Sequence, residues 1–327
     1  MQLLFQVFKW DLNTCIPVPC FIISGAPILQ LSHLQRWLFC LLQSINRSFR
    51  SKPRDQIMSG SSSVISYSPA IEAVLDAVAD CLQGARRALF ITGAGISADS
   101  GLPTYRGVGG LYDGEGTEEG LSIEEALSGD VFSIRPDITW KYLVQIEENC
   151  RGAQPNAAHR AIACLDQYLD RVMVFTQNVD GLHRQAASRE IIEIHGNLQE
   201  LMCTVCPHEE AAADFGQREM PPRCPLCGSV LRPKVVLFGE ALPETALDCF
   251  IEALEDGFDI VFTIGTSSVF PYITQPVVFA ASAGIPTVEI NPGRTQLSDI
   301  VDYYLPLGAA EAMTAILARL GLDSADC

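Results

Sequence analysis

From Pro69 onward, short apolar runs alternate with segments of helical periodicity, and this alternation limits the possible folds more than any other feature. The runs are rich in Val, Ile and Phe and end in polar residues or glycine, at 88–92, 171–176, 191–195, 258–265 and 285–291. Apolar residues at helical spacing lie between them, at 70–85, 156–169, 242–257 and 274–284. Near-continuous apolar strands joined by helices predict an α/β fold, a parallel sheet with helices on both faces. In such sheets, ligands bind at the carboxyl ends of the strands.

Composition and charge narrow the class of protein. The chain of 327 residues is 48% hydrophobic and 19% charged, which is typical of a globular protein with a sizeable core. Its formal charge of −17 is uneven, because residues 1–57 carry six Lys and Arg against two acids, a balance of +4, so the remainder stands at −21. An acidic body disfavours binding to a nucleic-acid backbone and favours basic peptides or proteins as partners.

The N-terminal segment 1–68 differs in character from the rest. Its apolar stretch 15–31 contains three prolines and falls short of the roughly 20 residues of a membrane-spanning helix. It also lacks the clean apolar run and small-residue cleavage site of a secretory signal. We expect Met58 to be the natural start and the upstream residues to be poorly ordered, with a membrane anchor or targeting segment as the alternative. The main domain is expected over 69–320, followed by a tail at 321–327.

A glycine-rich turn follows the first apolar run, in "ITGAGISADSG" (91–101). Gly93 and Gly95 would let the backbone approach a diphosphate, and the helix predicted to follow would supply N–H donors. A tight turn without a ligand is the alternative. A dehydrogenase fingerprint would need a second strand ending in Asp or Glu about 20 residues later, but the chain runs into "LPTYRG" instead. Tyr105 and Arg106 in this loop are typical of a lid over a bound nucleotide.

Four later strand ends also carry polar residues. They are Gln177, Asn178 and Asp180 in "TQNVDGLH", His195 in "IHGN", and the segments "GTSS" (265–268) and "INPG" (290–293). Each one alone is compatible with simple turn chemistry. Because the carboxyl ends of parallel strands meet at one edge, their succession predicts a single nucleotide-binding edge.

Two close cysteine pairs, Cys203 with Cys206 and Cys224 with Cys227, are separated by 17 residues. This spacing predicts a tetrahedral four-thiolate zinc site, and since the protein fills all four positions the metal would be structural. Four unrelated buried cysteines are the alternative. The pattern indicates a small zinc module over 200–232, and the scattering of the other cysteines indicates a reducing compartment.

In combination these motifs resemble the sirtuins, the NAD-dependent protein deacylases. The resemblance spans about residues 70–318 and is carried, in the family's order, by the two cysteine pairs and by "GAGIS" (93–97), "TYRG" (104–107), "TQNVDGLH" (176–183), "IHGN" (194–197), "FGE" (238–240), "GTSS" (265–268) and "INPG" (290–293). It implies a Rossmann-like core with a cofactor loop and helical insertion over 104–155. It also implies NAD and one structural Zn²⁺ as cofactors.

The resemblance assigns roles to individual residues. It implies that His195 is the general base, which takes a proton from the NAD ribose hydroxyls, with Asn178 and Asp180 as its catalytic neighbours. Nicotinamide leaves, and the acyl group of a modified lysine passes to ADP-ribose. Gln177 and Asn178 would hold the ribose, and Asp180 the carboxamide of nicotinamide. The other implied NAD contacts are Gly93, Ala94, Gly95, Ser97, Tyr105, Arg106, Gly265, Thr266, Ser267, Asn291, Pro292, Gly293 and Ala309.

The substrate side follows from the same resemblance. Val236, Phe238 and Gly239 match the strip that pairs with the substrate peptide. Sirtuins that remove succinyl or malonyl groups carry a Tyr and an Arg where this chain has Leu143 and Ile146. Without the Arg there is no bidentate partner for an acyl carboxylate, so we expect acetyl-lysine or another apolar acyl-lysine as substrate.

Two other functions are compatible with the same motifs. One is a protein mono-ADP-ribosyltransferase, and the other is a zinc-stabilised nucleotide-binding scaffold without turnover. The presence of His195 together with the peptide strip favours deacylation. We expect a cytoplasmic enzyme that binds neither nucleic acid nor membrane.

Overall fold

The computed structural model describes residues 67–104, 117–212, 215 and 218–322. The strands in this part are β1 (Arg87–Thr92), β2 (Arg171–Thr176), β3 (Glu190–Glu193), β4 (Gly196–Cys203), β5 (Glu209–Ala211), β6 (Leu231–Val235), β7 (Ile260–Ile264), β8 (Thr287–Ile290) and β9 (Tyr303–Leu305). Six of them form a parallel sheet in the order β3-β2-β1-β7-β8-β9. The chain thus builds outward from β1 in both directions, and the strand order reverses between β1 and β7.

Helices precede β1, follow β9 and occupy connections between the strands. They are α1 (Pro69–Gly84), α2 (Ile123–Ala126), α3 (Gly129–Ile134), α4 (Pro136–Cys150), α5 (Ala157–Tyr168), α6 (Leu182–Gln185), α7 (Glu244–Asp256), α8 (Pro271–Ser282) and α9 (Ala309–Arg319). The glycine-rich turn opens into a 3₁₀ helix, Ala94–Ser100, where an α-helix was expected. Strand β9 and helix α9 are additions that the sequence patterns did not predict.

Alternation along the central strands puts apolar side chains on both faces of the sheet. Phe90 and Phe262 stack at 4.7 Å on one face, in a core completed by α1, α5 and α9. Phe175 and Phe250 stack at 3.7 Å on the other face, where α7 and α8 close the core. Helices therefore cover both faces, which confirms the predicted parallel α/β fold.

A second, smaller body lies beside the sheet, and we call it the small lobe. It consists of the antiparallel sheet β5-β4-β6 together with α2, α3 and α4. These elements share one hydrophobic core, in which Trp140 packs edge-on against Phe215 at 5.1 Å and donates its indole N–H to the Leu231 carbonyl at 2.9 Å. Segments 104–155 and 200–232 were expected as separate additions, whereas the structure packs their described residues around one core.

Several helices begin where side chains cap them. Ser122 and Glu125 form a reciprocal capping box at α2, and Asn156 caps α5. No helix among the described residues is long and apolar enough to cross a membrane. The predictions for residues 1–66, including the start at Met58, and for 323–327 lie outside the described residues.

Candidate active site

The loops that follow β1 and β7 touch backbone to backbone. The Gly95 amide donates to the Gly265 carbonyl at 2.8 Å, and the Gly93 amide donates to the Ile264 carbonyl at 3.0 Å. A Cβ at Gly95 would lie 2.6 Å from the Cα of Gly265. Gly265 itself has a φ of +60°, and a Cβ there would lie 2.3 Å from the backbone nitrogen of Ile96. These glycines are needed for the contact between the two loops, in addition to the approach to a diphosphate that their pattern predicted.

Asn178, Asp180 and Ser97 form a buried hydrogen-bonded cluster at the end of β2. The Ser97 hydroxyl donates to Asp180 Oδ2 at 2.7 Å and accepts from Asn178 Nδ2 at 3.2 Å. Asn178 Nδ2 also lies 3.2 Å from the Gly93 carbonyl, so the loop after β2 is tied to the loop after β1. Three residues that the sequence assigned to one ligand are therefore brought together.

The carboxyl group of Asp180 is held with only part of its hydrogen-bonding capacity used. Burial raises its pKa, and the Leu182 amide and the Ser97 hydroxyl counteract this by donating to the carboxylate. A buried carboxylate of this kind gains from a further N–H donor. An amide group of a ligand in the neighbouring cleft would supply one.

This cleft lies between the sheet and the small lobe. Its lining is mostly apolar and consists of Ala94, Ser97, Leu102, Pro103, Ile146, Asn149, Cys150, Asn178, Val179 and Asp180. Burial, with a contribution from the Asp180 charge, raises the pKa of the Cys150 thiol to about 12, so this cysteine is a neutral wall residue. Ile146, Asn149 and Cys150 bring the small lobe into the site.

His195 follows β3 and is fixed through both ring nitrogens. Its Nδ1 lies 2.9 Å from the Gln177 carbonyl, and its Nε2 lies 2.8 Å from the Tyr272 hydroxyl. Because a carbonyl oxygen only accepts hydrogen bonds, Nδ1 carries the proton in the neutral ring, and Nε2 is the basic nitrogen.

The electrostatic surroundings keep His195 neutral near pH 7. Burial lowers its pKa, and the hydrogen bond to Gln177 offsets part of that effect. A neutral imidazole with a defined basic nitrogen is suited to general-base chemistry. Sequence reasoning missed Tyr272, because it lies at the start of α8 and not in one of the polar strand-end motifs.

The carboxyl ends of β1, β2 and β7 border a space that we call the crevice, and Thr266, which follows β7, lies at its far end. Its hydroxyl accepts from Gln177 Nε2 at 2.8 Å, and its carbonyl accepts from Asn291 Nδ2 at 2.9 Å. Thr266 is therefore buried and occupied internally, whereas Ser267 is exposed. The other residues assigned to this end by sequence lie along the same edge, with Pro292 and Gly293 exposed and Ala309 buried at the start of α9.

The expected peptide strip begins beside the base. The Val236 amide donates to the His195 carbonyl at 2.9 Å. The Phe238 amide donates to the Leu127 carbonyl, and the Phe238 carbonyl accepts from the Gly129 amide, both at 3.0 Å. The strip is thus held between the His195 loop and α3, and Gly239 follows it with a φ of +83°.

The four cysteines of the small lobe converge on one point. Their Sγ atoms all lie within 4.8 Å of one another, and the Cys203–Cys227 and Cys206–Cys224 pairs are each 3.5 Å apart. A zinc ion bound by four thiolates at about 2.3 Å places neighbouring sulfurs about 3.8 Å apart. The donor set and spacing fit one structural Zn²⁺ held by Cys203, Cys206, Cys224 and Cys227.

A family model decides the identity of this arrangement. The model described as "Sir2 family" matches residues 93–271. The chain belongs to the Sir2 family. Among Sir2 relatives, the NAD-dependent protein deacylase 2 of Pseudomonas aeruginosa is 49% identical over 248 residues, which cover 74% of this chain and 96% of that protein.

Solved Sir2 structures share the fold described above. A Sir2 homologue in complex with NAD has a TM-score of 0.68 and 34% identity, covering 75% of this chain and 94% of that one. Sir2Tm bound to a propionylated peptide has a TM-score of 0.66 and 27% identity, covering 76% and 99%. Tyr105 and Arg106, which resemble residues of the Sir2 cofactor loop, lie outside the described residues.

Two further histidines of this Sir2 chain lie below the crevice and not in it. The rings of His159 and His183 are 4.8 Å apart and buried. His183 Nε2 lies 3.0 Å from the Thr92 hydroxyl, which itself donates to Thr176 at 2.8 Å. Burial lowers the pKa of both rings, to about 4 for His159. They link β1, β2 and α5, and we interpret them as structural.

Proposed function

We propose that this Sir2-family chain removes acetyl or other apolar acyl groups from protein lysines in an NAD-dependent reaction. The products are nicotinamide, the free lysine and O-acyl-ADP-ribose. The observation that carries the proposal is the state of His195, a neutral imidazole whose Nδ1–H is fixed on Gln177 and whose Nε2 is basic. The 49% identity to a protein named NAD-dependent protein deacylase 2 supports the same reaction.

NAD binding is assigned to the crevice at the carboxyl ends of β1, β2 and β7. Asp180 accepts a hydrogen bond from the nicotinamide carboxamide, because its buried carboxylate retains unused acceptor capacity beside an apolar cleft. The backbone of the Gly93–Ser97 turn faces the diphosphate, and Gln177 and Asn178 the ribose. NAD supplies an electrophilic ribose carbon when its nicotinamide departs.

Catalysis requires removal of a proton from a ribose hydroxyl as that oxygen bonds to the acyl carbon. His195 is the base, and the carbonyl of Gln177 stabilises the imidazolium that results. The peptide lies along 236–239. Because Phe238 already pairs through its amide and its carbonyl, and Val236 through its amide, the peptide backbone pairs with the Val236 carbonyl or with Gly239.

An acyl-lysine peptide incubated with NAD tests the proposal. We expect nicotinamide release and deacylation to depend on each other, and His195→Ala to reduce deacylation by about 100-fold or more. His208→Ala is the matched control, since this imidazole pairs with Glu210 in the small lobe, away from the crevice. Nicotinamide release without peptide, with label transferred to protein, would establish a mono-ADP-ribosyltransferase instead. Absence of any release would indicate a scaffold.

The acyl preference is set by the small lobe. Leu143 is buried in the apolar core of the small lobe, and Ile146 packs against the same core. Neither side chain compensates the charge of an acyl carboxylate, whose desolvation is costly. We expect acetyl- and propionyl-lysine peptides to be turned over at least about tenfold faster than a succinyl-lysine peptide, since 1.4 kcal/mol of uncompensated desolvation corresponds to that factor. Comparable turnover of the succinyl peptide contradicts this preference.

The cytoplasm is the compartment that suits these features. A four-thiolate zinc site needs reduced cysteines, which a reducing compartment maintains. The acidic body, at −21 outside residues 1–57, favours basic lysine-containing substrates.

A further inference from the structure

Both nitrogens of the base are already occupied by protein groups. Nδ1–H of His195 is donated to the Gln177 carbonyl, so the lone pair of Nε2 accepts the Tyr272 hydroxyl at 2.8 Å. The two rings meet edge to face, with centroids 6.1 Å apart and planes at 80°. An imidazole nitrogen has one in-plane lone pair, so a second hydroxyl cannot bind Nε2 while Tyr272 is there.

The position of Tyr272 is fixed by its local structure. It is the second residue of α8, directly after Pro271, whose ring restricts the backbone at the first helical position. Its ring stacks on Phe270 with centroids 5.4 Å apart and planes at 12°. Burial raises the pKa of the Tyr272 phenol, so the hydroxyl keeps its proton throughout the physiological range. A proton that reaches Nε2 in this geometry passes through that hydroxyl.

We propose that Tyr272 is a catalytic residue that relays the proton of the ribose hydroxyl to His195. The inference rests on the deacylase function proposed above and adds one residue to its proton path. The Tyr272 O–H bond breaks as the proton joins Nε2, and the phenol oxygen takes the proton of the ribose hydroxyl in the same step. The electron pair of the ribose O–H bond forms the bond to the acyl carbon, and the π pair of the double bond between that carbon and the lysine nitrogen moves onto the nitrogen. Tyr272 is neutral before and after, and the positive charge stays on His195 beside the Gln177 carbonyl.

The relay predicts which partial reaction depends on the phenol. Attack of the acyl oxygen on the ribose carbon expels nicotinamide without moving a hydroxyl proton, so exchange of labelled nicotinamide into NAD does not need Tyr272. Transfer of the acyl group to a ribose hydroxyl does need it.

Tyr272→Phe, which keeps the stacked ring and removes only the hydroxyl, separates the two partial reactions. We expect deacylated peptide to form about 100-fold more slowly while peptide-dependent nicotinamide exchange and the KM for NAD stay at wild-type values. Tyr303→Phe is the matched control, because Tyr303 lies on the edge strand β9 and its hydroxyl contacts Cys81 of α1. Combining Tyr272→Phe with His195→Ala should be no slower than His195→Ala alone, because both residues act on one proton.

Solvent deuterium provides the second measurement. A plot of the wild-type deacylation rate against the deuterium fraction of the solvent should be curved, since two protons move together. The same plot for Tyr272→Phe should be a straight line. Wild-type deacylation rates in Tyr272→Phe would overturn the relay, because they would show that the phenol moves aside. Equal loss of exchange and deacylation would overturn it as well, since the phenol would then serve NAD binding. A wild-type enzyme with no nicotinamide exchange would refute the deacylase function itself.

Discussion

The parallel sheet and the small lobe differ in what holds their polar and reactive residues in position. Strands β1, β2 and β7 are buried almost throughout, and apolar side chains on both faces hold them in place. In the small lobe, β4 alternates between buried and exposed positions, and β5 has only three residues. Its core includes two of the zinc-site cysteines, Cys203 and Cys224.

In the sheet, the residues expected to perform chemistry differ from those that stabilise the fold, whereas in the small lobe they are the same. In the sheet, apolar side chains on both faces hold the strands, and the polar residues Asn178, Asp180 and His195 lie at the strand ends, where a ligand would bind. In the small lobe, the reactive side chains themselves hold the fold, because a small core buries too little apolar surface to be stable alone. Substitutions should therefore damage activity at the sheet edge and folding at the cysteines.

Loss of the metal should produce the largest effect. Cys224→Ser removes one thiolate, and structural zinc contributes roughly 10 kcal/mol or more to the folding of small modules. We expect bound zinc to fall from one equivalent to none, as measured by atomic absorption. Amide exchange should become fast in β4, β6 and α4 and stay slow in β1, β2 and β7.

Cys249→Ser is the control, since this cysteine is exposed on α7 and lies outside the cluster. Simultaneous loss of protection in both regions would contradict this expectation. It would mean that the parallel sheet depends on the zinc site for its own stability.

A glycine at the sheet edge should produce the next largest effect. Gly265→Ala places a Cβ 2.3 Å from the Ile96 backbone nitrogen at a φ of +60°. Left-handed strain and overpacking together cost about 4 kcal/mol, which urea unfolding measures as a lower midpoint. Gly84→Ala is the matched control, because a Cβ at the end of α1 meets nothing within 4 Å. Equal midpoints for the two variants would show that the loop contact is dispensable.

Gly95 and Gly265 show which features a sequence pattern can predict and which it cannot. Periodicity is local, so it located β1, β2 and β7 to within two residues and placed the polar residues at their carboxyl ends. The contact between Gly95 and Gly265 joins positions 170 residues apart and depends on the pairing of β1 with β7. No local pattern encodes that distance.

Two other features could not be predicted from the sequence, for related physical reasons. Strand β9 has only three residues, too few for an alternation to be recognised, and α9 follows it. Tyr272 contacts His195 across 77 positions, and its own segment reads as an ordinary helix start after proline. The zinc site could be predicted from the sequence because its four ligands come in two short, regularly spaced pairs.

The smallest of the three stability effects should appear on acidification. The pKa of His159 is lowered by burial from 6.5 to about 4, so the unfolded chain binds a proton more readily than the native protein does. Its contribution to stability is complete above pH 6.5 and is lost as the pH falls towards 4, by about 3 kcal/mol in total. His159→Gln keeps an acceptor for the Asn156 amide at the start of α5 and removes the titration. Urea unfolding between pH 7 and pH 4 should therefore be less dependent on pH in this variant than in the wild type. An unchanged dependence on pH would indicate that His183 causes the acid sensitivity. The pKa of His183 is lowered further, by burial and by the charge of His159, and its ring contacts Thr92 of β1.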